Sequence, residues 1–136
     1  MNQRKKTEKD IAELRDMCGY FSPLNSWLRT QLDKASDVVY AMDGDTLYGY
    51  LILDKKEDHL EVELICVSKE GQKQKGIGRS LMMKAEEIAR EYELKQIELD
   101  SQPQAKGFYK KLNYENDSRD NSGYRMMKKL AVKVKN

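Results

Sequence analysis

The chain has 136 residues, enough for one hydrophobic core and too few for two ordinary domains, so a single domain over 1–136 is expected. Its 25 Lys+Arg against 23 Asp+Glu leave a formal charge of +2, and both signs are scattered, which describes a soluble surface rather than a nucleic-acid binder. No apolar run reaches the ~18 residues of a membrane span and no charged segment leads into an apolar one; the sequence therefore reads as a cytoplasmic protein without a span or secretory signal.

The basic ends, Arg4-Lys5-Lys6 and Lys128-Lys129 with Lys133 and Lys135, read as solvated clusters. His59 is the only histidine, which excludes a histidine triad or a multi-histidine centre, and no metal is expected. Cys18 and Cys66 stand far apart and match no metal-ligand spacing, so two buried or inert thiols are expected.

Ile11, Leu14 and Met17 recur at a spacing of three and predict a first helix over 8–17. Ser22-Pro23 reads as a cap and first-turn proline for a second helix carrying Leu24, Trp27, Leu28, Gln31 and Leu32. These N-terminal helices occupy about 8–35. The runs 38–42 and 46–53, separated by Asp43-Gly44-Asp45, predict an antiparallel hairpin. A third strand follows over 60–67, and strict alternation would put Glu61, Glu63, Ile65 and Val67 on one face.

The segment 68–75 reads as a loop leading to Gly76-Ile77-Gly78. Beyond it Ile77, Leu81, Ala85, Ile88 and Tyr92 keep helical spacing, with Glu86 and Arg90 as an i,i+4 pair outside. A strand over 96–100 comes next, then a short helix opened by Pro103 and running through Ala105, Phe108, Tyr109 and Leu112. Asp120-Asn121 splits two last strands, 114–119 and 122–130. The order predicts an α/β domain with a mixed, mostly antiparallel sheet. The strand-helix-strand unit 60–100 requires a right-handed crossover and hence a central parallel pair flanked by helices.

In Lys73-Gln74-Lys75-Gly76-Ile77-Gly78-Arg79-Ser80 two glycines let the backbone turn tightly before a helix whose free N–H groups point into the turn, an anion site suited to a pyrophosphate. A Walker loop needs a Lys-Ser/Thr pair directly after its second glycine, and Ile77 follows Gly76. A dinucleotide fingerprint needs a third glycine where Leu81 stands.

Over about 38–130 the chain resembles the GNAT superfamily of acyl-CoA-dependent N-acetyltransferases. The family's (Gln/Arg)-x-x-Gly-x-(Gly/Ala) motif is matched by Lys73 to Gly78, with Lys73 replacing the usual first residue and the preceding loop slightly longer than the commonest spacing. The family triplet before it is matched by Ile65-Cys66-Val67. A second element, Asn-x-x-Ala-x-x-aromatic/aliphatic-Tyr-x-x-x-Gly-Phe, is matched by the stretch from Gln102 to Tyr114, with Gln102 for Asn, Asn113 for Gly and Tyr114 for Phe.

The resemblance implies acetyl-CoA as co-substrate and an amine acceptor, either a small cationic molecule or a protein amine. It places the backbone of Ile65, Cys66 and Val67 at the acyl carbonyl. It places Lys73, Gln74, Lys75, Gly76, Ile77, Gly78, Arg79 and Ser80 at the phosphates, with Gln102 and Phe108 also at the cofactor. Tyr109 falls on the position of the general acid for the leaving thiolate, against a core aromatic as the plainer alternative. Glu63, with Glu61 second, is the base expected to take the ammonium proton, against a solvated strand face. Trp27 and Tyr20 read as core, with the acceptor wall as the other option. A silent acyl-CoA sensor on the same fold is the alternative function, and a homodimer through the C-terminal strand is expected by analogy.

Overall fold

The computed structural model describes residues 8–17 and 24–131; Cys18, Tyr20, Ser22 and Pro23, and with them the expected cap, lie outside the described residues. The elements run α1 (Glu8–Met17), α2 (Leu24–Lys34), β1 (Asp37–Asp43), β2 (Thr46–Lys55), β3 (Leu60–Val67), α3 (Lys69–Gln72), α4 (Ile77–Glu91), β4 (Gln96–Asp100), a 3₁₀ turn (Pro103–Ala105), α5 (Lys106–Lys111), β5 (Glu115–Asn116) and β6 (Arg125–Lys129). The six strands form one sheet in the order β1-β2-β3-β4-β6-β5. β3 and β4 are parallel and central, and every other neighbouring pair is antiparallel. This is the expected α/β architecture, a mixed and mostly antiparallel sheet around a central parallel pair.

Alternation along the strands builds two cores. Val39, Leu51, Leu53, Leu60, Val62, Ile97, Leu99 and Met126 point to one face and bury the α4 stripe of Leu81, Met82, Ala85, Ile88 and Ala89. Tyr40, Tyr50, Ile52 and Cys66 point to the other face, against Leu14 of α1 and Leu28 and Leu32 of α2. Each fully buried Leu or Ile here contributes roughly 2 kcal/mol. The Tyr50 hydroxyl donates to the Leu14 carbonyl at 2.9 Å, pinning α1 to β2.

Strict alternation fails in β3. Its register against β2 jumps between Ile52↔Leu64 and Leu53↔Val62, leaving Glu63 as the extra residue of a β-bulge. The bulge reverses the parity of everything after it. Ile65 and Val67 pack on the α4 side with Val62, whereas Leu64 and Cys66 pack on the α1/α2 side. Glu61 and Glu63 therefore do not share a face with Ile65 and Val67, as alternation alone predicts.

Other expectations also change. The segment 68–75 is not a plain loop: Ser68 accepts from the Gly71 N–H at 2.9 Å and caps the short α3. Glu86 does pair with Arg90 at 3.9 Å, but it is buried and also takes Lys128 at 2.9 Å, so it faces inward. The last two strands shrink to β5 and β6, with 117–124 as the connection. Asn113 closes α5 at φ 71, the left-handed conformation expected of it.

Candidate active site

Gly76 precedes α4 at φ 91, a conformation that strongly favours glycine. The Ser80 N–H returns to the Gly76 carbonyl at 2.8 Å, so the N–H groups of Ile77, Gly78 and Arg79 are left directed out of the helix start. The N-terminal dipole adds partial positive charge at the same point. Gln72, Gln74, Lys75, Gly76, Ile77, Gly78, Arg79 and Phe108 line a depression of about 400 Å³ over this turn. Lys73 is not in that lining: it caps α3, and its ammonium sits 3.5 Å from Glu70 in an exposed pair. Ser80 is absent from the lining too, though its backbone closes the turn.

A second cavity, about 900 Å³, adjoins the first at Val67, Gln72, Gly78 and Phe108. Its origin is topological. β3 and β4 pair only at Leu60↔Ile97, Glu61↔Glu98 and Val62↔Leu99. Beyond Val62 the strands diverge, and the cavity occupies the gap between Glu63, Leu64, Ile65 and Val67 on one side and Leu99, Asp100, Ser101 and Gln102 on the other. It reaches both faces of the sheet, since Trp27 of α2 and Phe108 and Tyr109 of α5 all contribute to its wall. The β3 edge that faces the gap presents backbone polar groups without a strand partner, which is where the Ile65-Cys66-Val67 triplet falls.

Tyr109 stands on this wall, 6% exposed, with its ring edge-on to Phe108 and Tyr114 at centroid distances of 5.0 and 6.0 Å. Burial pushes its phenol up to about 12, so it stays protonated at neutral pH. Glu63 enters from the bulge and contacts α2, where Lys34 Nζ lies 3.8 Å from Oε1. Burial raises its pKa, Lys34 opposes this, and nearby Glu61 reinforces it. A carboxyl so placed is poised nearer to neutrality than a solvated one.

Glu61 is not brought to the cavity. It receives Arg125 through both terminal nitrogens and also faces His59 Nε2 at 2.9 Å. Glu98, its neighbour across the parallel pair, takes the same Arg125 at 3.1 Å and Arg119 at 3.3 Å. Two adjacent strand carboxylates repel, and the guanidinium groups compensate. Glu61 is thus committed to an ion-pair network, and it lies where β3 is still paired with β4, short of the point where the cavity opens.

Cys66 is 3% exposed and is held in a disulfide rather than as the free thiol expected; sequence separation carries no information about distance in the fold. Its side chain points to the α1/α2 core, so only its backbone can serve the gap. Trp27 is 38% exposed and lines the cavity, which overturns its assignment to the core. Gln72, whose side chain donates to the Val67 carbonyl at 3.0 Å, borders both cavities and was not legible as a site residue, because it falls in a segment read as loop.

A gap opened between central parallel strands thus adjoins a helix N-terminus whose free N–H groups suit an anion. A family model described as an acetyltransferase (GNAT) domain matches residues 5–127. The chain belongs to the GNAT acetyltransferase family. No curated protein sequence matches it. Among solved structures it is similar to an aminoglycoside 6'-N-acetyltransferase complexed with coenzyme A, with 15% identity over 98% of each chain and a TM-score of 0.78. It is also similar to the PaiA N-acetyltransferase from Thermoplasma acidophilum in complex with coenzyme A, with 22% identity, 94% of this chain and 98% of that one covered, and a TM-score of 0.71. A Bacillus subtilis acetyltransferase in complex with CoA gives 22% identity, coverages of 96% and 97%, and a TM-score of 0.77. At these identities the likeness is one of fold. No described helix is long and apolar enough to cross a membrane.

Proposed function

We propose that this protein is an N-acetyltransferase that moves the acetyl group of acetyl-CoA directly onto a primary amine of a small molecule or protein. The observation that carries this is the end of β3-β4 pairing at Val62↔Leu99, which opens a cavity through the sheet with Tyr109 on its wall and Glu63 entering from the opposite face. The pyrophosphate is held by the backbone from Gln74 to Arg79, and the pantetheine arm runs along β3 past Phe108. The acyl carbonyl oxygen is held by N–H groups of β3 near Cys66 and Val67, which are preorganised for the developing oxyanion.

Glu63 takes a proton from the acceptor ammonium, and the free amine attacks the thioester carbon. The tetrahedral intermediate collapses by breaking the C–S bond, Tyr109 gives its proton to the departing thiolate, and the second proton of the attacking nitrogen passes to the Tyr109 phenolate, which restores the acid. The products are the amide and coenzyme A. Glu63 and Asp100, together with the indole face of Trp27, favour an acceptor that carries positive charge.

The alternative, a binding module without turnover, draws support from Lys73, which pairs with Glu70 instead of lining the phosphate depression. Release of free thiol from acetyl-CoA across a panel of small amines, polyamines and peptides separates the two. Amine-dependent thiol release supports the enzyme. Tight acetyl-CoA binding with no acceptor modified across the panel sinks it in favour of the sensor.

A further inference from the structure

Trp27, Gln31 and Lys34 lie on one stripe of α2, at i, i+4 and i+7, over the β3 bulge. Gln31 is the middle residue and is 7% exposed. Its amide is oriented by its neighbours. With the oxygen toward Trp27 it accepts from the indole Nε1 at 3.3 Å, and its nitrogen then donates to Glu63 Oε2 at 3.1 Å. The reverse orientation sets oxygen against carboxylate and N–H against N–H, both repulsive. An indole N–H can only donate, so Trp27 dictates which end of the amide meets Glu63.

We infer that Gln31 is a positioning residue for Glu63: a donor that cannot titrate, locked by Trp27, which ties down Oε2 so that Oε1, with the Lys34 ammonium 3.8 Å away, receives the acceptor's proton. This rests on the reading of Glu63 as the base.

The bulge is what makes the contact. An extra residue in β3 turns Glu63 toward α2, where an amide one helical turn from the cavity-lining Trp27 can reach it. The other groups around Glu63 hold it less firmly. Lys34 and Lys56 are 44% and 42% exposed at their side chains, and Lys34 stands at 3.8 Å. Asp54 and Glu61 add negative charge that disfavours its ionised form. A buried amide donor to the charged form works against that penalty and fixes the carboxylate's direction at once. Because the indole also borders the cavity, an acceptor seated on Trp27 touches the far end of the same hydrogen-bond chain.

Trp27 is the only tryptophan, so its indole N–H gives a single cross-peak in a proton-nitrogen correlation spectrum. In the unaltered protein that peak should shift with pH at the midpoint of the acid limb of kcat/KM. Gln31→Met keeps the volume and removes both hydrogen bonds. It should abolish the titration of the peak and move the acid limb up by about one pH unit, a tenfold loss of kcat/KM below the limb, with acetyl-CoA affinity and Tm retained. Gln31→Glu sets a second carboxylate against Glu63 and should move the limb further still. Glu63→Gln separates the two ideas. If it removes the limb while Gln31→Met leaves limb and peak unmoved, the role of Gln31 is overturned and the base survives. If the limb persists in Glu63→Gln, both fall.

Discussion

A Cβ placed on Gly78 would lie 3.2 Å from Cζ and 3.3 Å from Cε1 of Phe108, so the first turn of α4 and the ring from α5 are in close contact and any side chain here makes the ring give way. Phe108 borders both cavities, and Gly78 does as well. Gly78→Val should displace the ring, which stands on the path proposed for the cofactor between phosphates and acyl group. Calorimetry should show acetyl-CoA affinity falling by about tenfold or more. Combining it with Phe108→Ala should recover part of the loss of the valine variant, because the two sites are in contact and their effects are not additive. Unchanged affinity in the valine variant would place the cradle elsewhere.

Glu61 and Glu63, two positions apart, should separate cleanly in experiment. Glu61→Gln leaves Arg125 without its nearest counter-charge, in a network where the Arg125 side chain is 20% exposed and the Glu61 side chain 12%. A loss of about 2 kcal/mol of stability is expected, with the shape of the pH-rate profile kept. A Glu61→Gln variant that keeps its Tm but loses the acid limb would reverse these roles.

For Glu63 the sign runs the other way. Its folded pKa is raised, chiefly by burial, so the native state binds more protons than the unfolded chain between the two pKa values. Stability therefore falls as pH rises through that window. Glu63→Gln should leave Tm at neutral pH equal or slightly higher while removing the acid limb of kcat/KM. A clear drop in Tm at neutral pH would show that the carboxylate is held more favourably than its burial implies.

Most of the fold was legible because long periodic segments announce themselves: α4 and the hairpin of β1 and β2 follow from apolar spacing and the Gly44 turn at φ 59. The Gly76 and Tyr109 positions were legible through their motif spacing. The bulge was not. Leu60 to Leu64 alternates apolar and charged and Leu64 to Val67 is a continuous apolar run, but the extra residue exists only relative to β2, so the sequence did not say where the parity changes between Glu61 and Val67. Gln31 was equally hidden, since a polar residue on a helix stripe is indistinguishable from a solvated one until the strand it meets is known. The brevity of β5 has a physical reason as well: the Arg119 N–H donates to the Asp117 carboxylate and the Asp120 N–H to the Asp117 carbonyl, which takes up backbone expected to form a strand.

Asp117 offers an acid-side test. Hydrogen bonds from the Arg119 side chain and backbone N–H hold its carboxyl down to about 2. A depressed folded pKa adds stability that is present above the unfolded value of about 4 and is lost as pH falls from there to about 2. Asp117→Asn should remove that part of the acid slope in a melting series, leaving the neutral-pH rate intact. An identical slope in the variant would show that Asp117 does not carry this part of the acid lability.

Tyr109→Phe bears most directly on whether this chain turns over. The change keeps the ring, and with it the edge-on contacts to Phe108 and Tyr114, while removing only the hydroxyl. None of the described residues is hydrogen-bonded to that hydroxyl, so Tm should not fall. With its phenol at about 12, Tyr109 is fully protonated throughout the assay range, and its loss should lower kcat by about 10²-fold at every pH without creating or erasing a limb. Acetyl-CoA affinity should stay within a factor of about two, since in the proposed mechanism the lost group acts on the thiolate that forms only as the C–S bond breaks. A phenylalanine variant with undiminished kcat would remove Tyr109 from the proton path and leave water as the donor.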